Sequence, residues 1–332
     1  MASGKLIRQL IKAGMESNSD AFRQASQEVI REEREKHHHL LANDLEKILY
    51  GRTSTTSPRQ AALVERLPTD RERGLPLLQI KEPFRRLEDV ILSDGNCSLL
   101  NKLLQEYHRV ELLKSYGLFP IDRVLFCGPP GCGKTLTAEV IACELSLPLA
   151  IIRIDSVISS YLGETAANLR QVFDFISASQ MVVLFDEFDA IAKERADESD
   201  HGELKRVVNA FLQMLDSYEG KSLLVAATNH EGMLDSAVWR RFDEVLVFEP
   251  PNLEQLRRLL SIKLRGLRRE FEIEDTRISG LFKDMSHADV ERVLRRAAKE
   301  MVLSGKEFLS ERHIQAAISQ EDARRARVKR SK

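Results

Sequence analysis

Runs of consecutive apolar residues organise the middle of this chain. Val124–Cys127, Met181–Phe185 and Leu223–Ala227 carry no polar alternation, and each is too short for a helix. Such runs predict strands buried on both faces, as in a parallel sheet. Leu149–Ile154 and Glu244–Phe248 add two more strands. Between them, helical spacing of apolar residues marks Lys134 to about Leu145, Glu164–Ser179 and Leu204–Tyr218. Strands alternating with helices predict an α/β fold, a parallel sheet flanked by helices on both faces. Beyond Pro250-Pro251 the pattern changes. Leu253–Leu267, Arg277–Met285, Ala288–Leu303 and Ser310–Ser319 read as helices, enough for a small helical domain.

The flanks differ from this middle. Leu6, Ile7, Leu10 and Ile11, then Phe22, Val29 and Ile30, then Leu40, Leu41, Leu45, Ile48 and Leu49, repeat at helical spacing, with a polar break at Asn18–Asp20. They predict a helical hairpin over residues 4–50. His37, His38 and His39 are consecutive, so they face different sides of a helix and suit metal chelation poorly. Residues 51–83, with Thr53–Pro58 and Pro68, Pro76 and Pro83, read as a linker, and Phe84–Pro120 as helical. The expected divisions are therefore 1–83, 84–250, 251–320 and a basic tail, 321–332. Such a tail is solvated in the ordinary case and touches nucleic acid or an acidic partner in the other.

Composition narrows the classes. Fifty Lys and Arg against 51 Asp and Glu give a net charge of −1, which provides no global attraction for nucleic acid or membrane. No apolar stretch approaches a membrane span, and the N-terminus lacks a signal-peptide core. Cys97, Cys127, Cys132 and Cys143 show no C-x-x-C pairing, which fits a reducing compartment and a cytoplasmic location.

The chemistry begins where the first strand ends. Gly128-Pro129-Pro130-Gly131-Cys132-Gly133-Lys134-Thr135 matches the G-x-x-x-x-G-K-[ST] phosphate loop, in the strand–loop–helix setting that motif requires. Glycines let the backbone curl so that its N–H groups face a polyphosphate, and the helix N-terminus adds positive potential. Lys134 would reach the β and γ phosphates, Thr135 would ligate Mg²⁺, and Leu136 continues the binding segment. Cys132 reads first as a small loop-filling residue; the alternative is a thiol whose pKa the helix N-terminus lowers, which would make the site oxidation-sensitive. The run ending at Phe185 delivers Asp186 and Glu187 to a strand's carboxyl end, where open α/β sheets bind ligands. Asp186 would hold the metal and Glu187 would polarise a water.

With these motifs in order, residues 84–320 resemble the AAA+ ATPases, and within them the AAA family that includes katanin, spastin and the ATPase part of the FtsH protease. Gly128–Thr135 looks like its Walker A loop and Phe185–Asp189 like Walker B. Ala226–Asn229 resembles sensor 1, with Asn229 on the attacking water or γ-phosphate. Leu234–Asp243 resembles the region carrying arginine fingers. Arg240 and Arg241 are adjacent here, where many relatives place two residues between them, so which one is the finger stays open. Ser286–Asp289 is similar to the family's Ser-Gly-Ala-Asp, with His287 and Ala288 loosely beside the nucleotide, and no sensor 2 arginine is evident.

The resemblance implies ATP and Mg²⁺ as ligands and a ring, usually a hexamer, acting on a protein substrate. Tyr161, Leu162 and Gly163 look like the pore loop that grips polypeptide; a core aromatic is the plainer reading of Tyr161. Arg195–Glu203 falls where a second pore loop would lie. Two other functions stay open: a nucleic-acid motor using Arg257, Arg258, Arg265, Arg268, Arg269 and the tail, and an ATPase serving a separate protease or effector in trans. The chain itself carries no H-E-x-x-H or other protease motif.

Overall fold

The structure, a computed structural model, describes residues 12, 19–35, 67–70, 74–157, 162–188, 201–230, 232 and 236–330. It divides into two compact units, Met1–Leu63 and Val64–Lys332. In the first, helix α1 (Ser19–Glu35) starts inside the expected polar break, and Ala25, Val29 and Ile30 form its buried stripe. The other apolar stripes expected there, the three histidines and the Thr53–Pro58 turn lie outside the described residues.

The second unit is built on strands β1 (Leu78–Lys81), β2 (Arg123–Cys127), β3 (Leu149–Ile152), β4 (Val182–Phe185), β5 (Leu223–Thr228) and β6 (Glu244–Val247). Their order in the sheet is β1-β3-β4-β5-β2-β6, and every pair is parallel except β1 with β3. The parallel sheet with flanking helices is therefore present, with one antiparallel edge. That edge corrects the expected linker over 51–83. Leu77 and Leu78 are fully buried, and the backbone N–H of Arg153 donates to Leu77 O (2.9 Å). Flanking prolines and a four-residue length hid the strand, whereas an edge position tolerates both.

Helices α2 (Asp94–His108) and α3 (Val110–Ser115) occupy part of the stretch 84–120 expected to be helical. Ser93 caps α2 by accepting from Asn96 N. Then come α4 (Lys134–Glu144), α5 (Ile154–Val157), α6 (Leu162–Ser177) and α7 (His201–Asp216). Strand alternation assigns the faces. Val182 and Leu184 pack with Ala138, Ile141 and Leu103 on the α2–α4 side. Phe185 turns to the other side, its ring centroid 5.2 Å from that of Phe211 on α7 and 5.9 Å from Phe173 on α6. Phe188, just past β4, joins the cluster 4.9 Å from Phe211.

After α8 (Ser236–Trp239) and β6, the C-terminal helical part of this unit, termed the small domain below, comprises α9 (Leu253–Lys263), α10 (Thr276–Gly280), α11 (His287–Leu303) and α12 (Glu311–Arg330). Asn252 opens α9 with a capping box to Gln255. Leu256, Leu260, Phe282, Val293, Leu294 and Ile314 form its own core, which Ile91 of the large domain joins. The basic tail needs correction. α12 runs unbroken from the last expected helix to Arg330; Arg325 pairs with Asp289, and Arg324, still exposed, pairs with Glu321. Among the described residues no helix is long and apolar enough to cross a membrane.

Phe211 supports β4 and the segment after it, so Phe211→Ala should lower unfolding free energy by about 3–5 kcal/mol. Chemical denaturation of the two proteins checks this; a change near zero would show that the aromatic cluster contributes little.

Candidate functional site

Parallel register brings three chain segments to one edge of the sheet. β5 lies between β4 and β2, with Phe185 opposite Ala226 and Cys127 opposite Thr228. The residues that follow these ends, Asp186, Asn229 and the phosphate loop, therefore meet. The loop's shape depends on glycine. Gly128, Gly131 and Gly133 all have positive φ (139°, 80° and 102°). A Cβ on Gly128 would lie 2.0 Å from Phe248 O, so the backbone passes there only without a side chain.

Lys134 is almost fully buried at the first turn of α4. Its Nζ donates to Gly128 O (2.6 Å), Pro129 O (3.0 Å) and Asn229 Oδ1 (2.8 Å). A buried ammonium needs such oxygens, and a phosphate is the ligand that would compete for it most strongly. Thr135 Oγ1 donates to Asp186 Oδ2 at 2.8 Å. Glu187 is exposed, holds φ +53°, and its backbone N–H donates to Asp186 Oδ1 (2.9 Å). Left-handed backbone at a glutamate is strained, and such strain clusters at functional sites.

These groups occupy one end of a cleft of about 480 Å³. Pro130 to Leu136 line it, and Pro129 O accepts from Lys134 Nζ. The far end is apolar, formed by Val90 and Ile91 before α2 and by Leu259 and Ile262 of α9. Sequence reasoning missed this wall. Its members are scattered far apart along the chain and carry no motif, so only the fold assembles them. Lys263 and Glu291, paired at 2.9 Å, and Arg85 and Asp89 complete the rim.

The small domain closes the cleft through α11. Ser286 caps that helix in a reciprocal box with Asp289. Ala288 N donates to Gly131 O at 3.0 Å, so the domain touches the phosphate loop directly. His287 lines the same cleft, and both its ring nitrogens are buried without a hydrogen-bond partner among the described residues. Burial pushes its pKa down to about 4, which keeps the ring neutral.

Of the two readings of Cys132, the structure favours the loop-filling one. The residue is buried, and burial pushes its thiol up more strongly than the nearby Lys134 charge pulls it down.

Arg240 and Arg241 part company in the structure. Arg241 Nε donates to both carboxylate oxygens of Asp216 (2.9 Å each), and its NH1 donates to Ala237 O (2.7 Å). Arg240 is exposed, and no described residue pairs with it. Tyr161 lies outside the described residues; Leu162 and Gly163 form the first turn of α6, two residues earlier than the helix start expected. Most of Arg195–Glu203 also lies outside the described residues. Of Arg257, Arg258, Arg265, Arg268 and Arg269, Arg268 is tied to Glu307 at 3.0 Å.

Residues 124–250 match the family described as the ATPase family associated with various cellular activities (AAA). An uncharacterized AAA family ATPase of Sinorhizobium fredii is 39% identical over 326 residues, covering 98% of this chain and 97% of the relative. A proteasome-activating nucleotidase of Thermococcus onnurineus is 28% identical over 289 residues, 82% of this chain and 71% of its own. The peroxisomal ATPase pex6 of Schizosaccharomyces pombe is 37% identical over 172 residues, 49% of this chain and 18% of its own.

His287 supplies a pH test of the cleft. Its pKa is lower folded than unfolded, so protonation favours the unfolded chain. Stability should be full above the unfolded value of about 6.5 and fall as pH drops toward 4, by up to roughly 3 kcal/mol. His287→Leu should flatten this slope between pH 6.5 and 5 in denaturant titrations; an unchanged slope would mean the ring is hydrated.

Proposed function

This chain belongs to the AAA family of ATPases and hydrolyses ATP, and we propose that it is a Mg²⁺-dependent protein-remodelling ATPase. The observation that carries the reading is the pair of bonds joining three segments: Lys134 to Asn229, and Thr135 to Asp186. They bring a phosphate-binding cation, two metal-suited oxygens and a polar sensor side chain to one point. The apolar wall of Val90, Ile91, Leu259 and Ile262 suits the flat face of an adenine.

In this reading the phosphate-loop N–H groups and Lys134 hold the β and γ phosphates and offset the charge that develops there. Thr135 and Asp186 would hold Mg²⁺, which when bound neutralises phosphate charge. Glu187 accepts a proton from the attacking water, whose oxygen forms the new bond to γ-phosphorus. The bond to the β-γ bridging oxygen breaks, leaving ADP and phosphate. Asn229 orients water or phosphate while Lys134 turns from protein oxygens to the ligand.

Arg240 is the preferred finger, acting on the site of a neighbouring copy in a ring, a hexamer by family resemblance. Its exposure supports this, whereas Arg241 is committed to Asp216. Tyr161, Leu162 and Gly163 would grip an unfolded protein substrate in the channel, in the cytoplasm. The relative named as a proteasome-activating nucleotidase favours a second form of this reading, in which the ring feeds a separate protease in trans. Of the basic groups a nucleic-acid motor would use, Arg268, Arg324 and Arg325 are paired with carboxylates of the small domain.

Glu187→Gln should retain ATP binding and lose hydrolysis by roughly 100-fold or more. Captured from cells with ATP, this variant should retain unfolded proteins, and Tyr161→Ala in the same background should release them. Retained nucleic acid indifferent to Tyr161 would overturn the remodelling reading.

Arg240→Ala should abolish ATPase alone yet regain part of it when mixed with Glu187→Gln chains, because each supplies what the other lacks. No recovery on mixing would count against action in trans. Arg241→Ala should act on stability through the lost Asp216 pair, by about 1 kcal/mol or less.

A further inference from the structure

The C-terminal helix is tied to the phosphate loop through an ion-pair network that the catalytic reading does not use. Its base is Glu321, whose side chain is fully buried. A buried carboxylate requires close cationic partners. Arg292 NH1 lies 2.6 Å from its Oε1, Arg324 NH2 2.8 Å from the same oxygen, and Arg296 NH1 2.8 Å from its Oε2. Arg292 and Arg296 come from α11, so Glu321 fixes the last turns of α12 along that helix.

One turn further, Arg325 donates to Asp289 Oδ2. The same oxygen accepts Ser286 Oγ (2.6 Å) and Ser286 N (3.3 Å), while Asp289 Oδ1 accepts Arg292 NH1 (3.0 Å). Burial raises the Asp289 carboxyl, but its hydrogen bonds from Ser286 and Arg325 more than offset this and leave it below the usual range. A capping box needs no cation from another helix, so Arg325 is an addition to ordinary helix capping. Ser286 and Ala288 in turn sit on Gly131. A Cβ on Gly131 would meet Ser286 Oγ at 2.8 Å and Ala288 Cβ at 3.0 Å, and Ala288 N donates to Gly131 O.

We propose that Arg325 is a positioning residue for ATP hydrolysis, holding Asp289 so that the first turn of α11 presses on the phosphate loop at Gly131. The inference rests on reading the cleft as the ATP site. It assigns the basic C-terminus a definite role, because the far end of the chain sets how firmly the small domain seats on the loop whose N–H groups face phosphate. Contacts run without a gap from Arg325 to Asp289, to Ser286 and Ala288, and to Gly131. Arg292 already pairs with both Asp289 and Glu321, so losing Arg325 leaves neither carboxylate without a cation.

The test uses the full chain and a fluorescent ATP analogue, with KM and kcat for ATP measured alongside. Arg325→Ala and Asp289→Asn should each weaken nucleotide binding and raise KM by roughly three- to tenfold, with kcat changing less. Asparagine keeps the cap on Ser286 while removing the charge Arg325 pairs with. The double variant should be no weaker than the poorer single one, as expected for residues acting through one contact. Arg325→Lys should recover most of the affinity. Arg268→Ala, which breaks an exposed pair with Glu307 in the same domain, should match wild type. Wild-type affinity in Arg325→Ala, additive losses in the double variant, or a loss that lysine does not restore would each overturn the proposal. Failure of the wild-type chain to bind the analogue would instead strike the reading of the cleft.

Discussion

The whole site turns on one buried charge. Lys134 holds its ammonium almost fully buried at the edge of the sheet, where it is tolerated because Gly128, Pro129 and Asn229 surround it with oxygens. Two of those oxygens come from the loop after β2 and one from the end of β5, so the lysine draws on segments that strand pairing brings together. A slip of one residue would turn every side chain of a strand to the opposite face and carry Asn229 away from the loop. The aromatic cluster of Phe173, Phe185, Phe188 and Phe211 works toward the same end from below, by fixing the strand that delivers Asp186 and Glu187.

Two kinds of contact link the small domain to this centre, and they differ in strength. Apolar packing of Ile91 into the small-domain core is non-directional and tolerates rotation. The Ala288–Gly131 hydrogen bond and the Ser286–Asp289–Arg325 chain are directional, and they set where α11 lies over the loop. A cleft floored by directional contacts and walled by apolar ones can change angle without coming apart. That combination suits an enzyme whose two domains must respond to the nucleotide between them. The two adjacent arginines at the end of α8 divide labour in a similar way: one is fixed to Asp216 and shapes the turn, and the other faces solvent.

Much of the centre was legible in the residues alone. Lys134, Thr135, Asp186 and Glu187 announce themselves because polyphosphate chemistry needs those groups at fixed spacing, next to apolar runs that can only be buried strands. The element order and the helical small domain followed from periodicity. Less legible was anything set by competition between neighbours. Cys132 lies beside a helix N-terminus and a lysine, yet burial pushes its thiol up, and burial is a property of the folded surroundings. Strand β1 lacked the length to stand out among prolines, and it exists because β3 offers an open edge.

What the residues carried on their own is therefore local and covalent: glycines where the backbone must curl, a lysine and threonine at a helix start, carboxylates at a strand end. Folding settled which distant groups come within hydrogen-bond reach. The apolar wall from Val90 to Ile262, the unpartnered ring of His287 and the hold of Arg325 on Asp289 join residues that lie far apart along the chain. Charge along a sequence states that a basic C-terminus is present. Whether it is solvated or paired depends on the carboxylates that packing brings to it, and here Glu321 and Asp289 are the ones packing supplies.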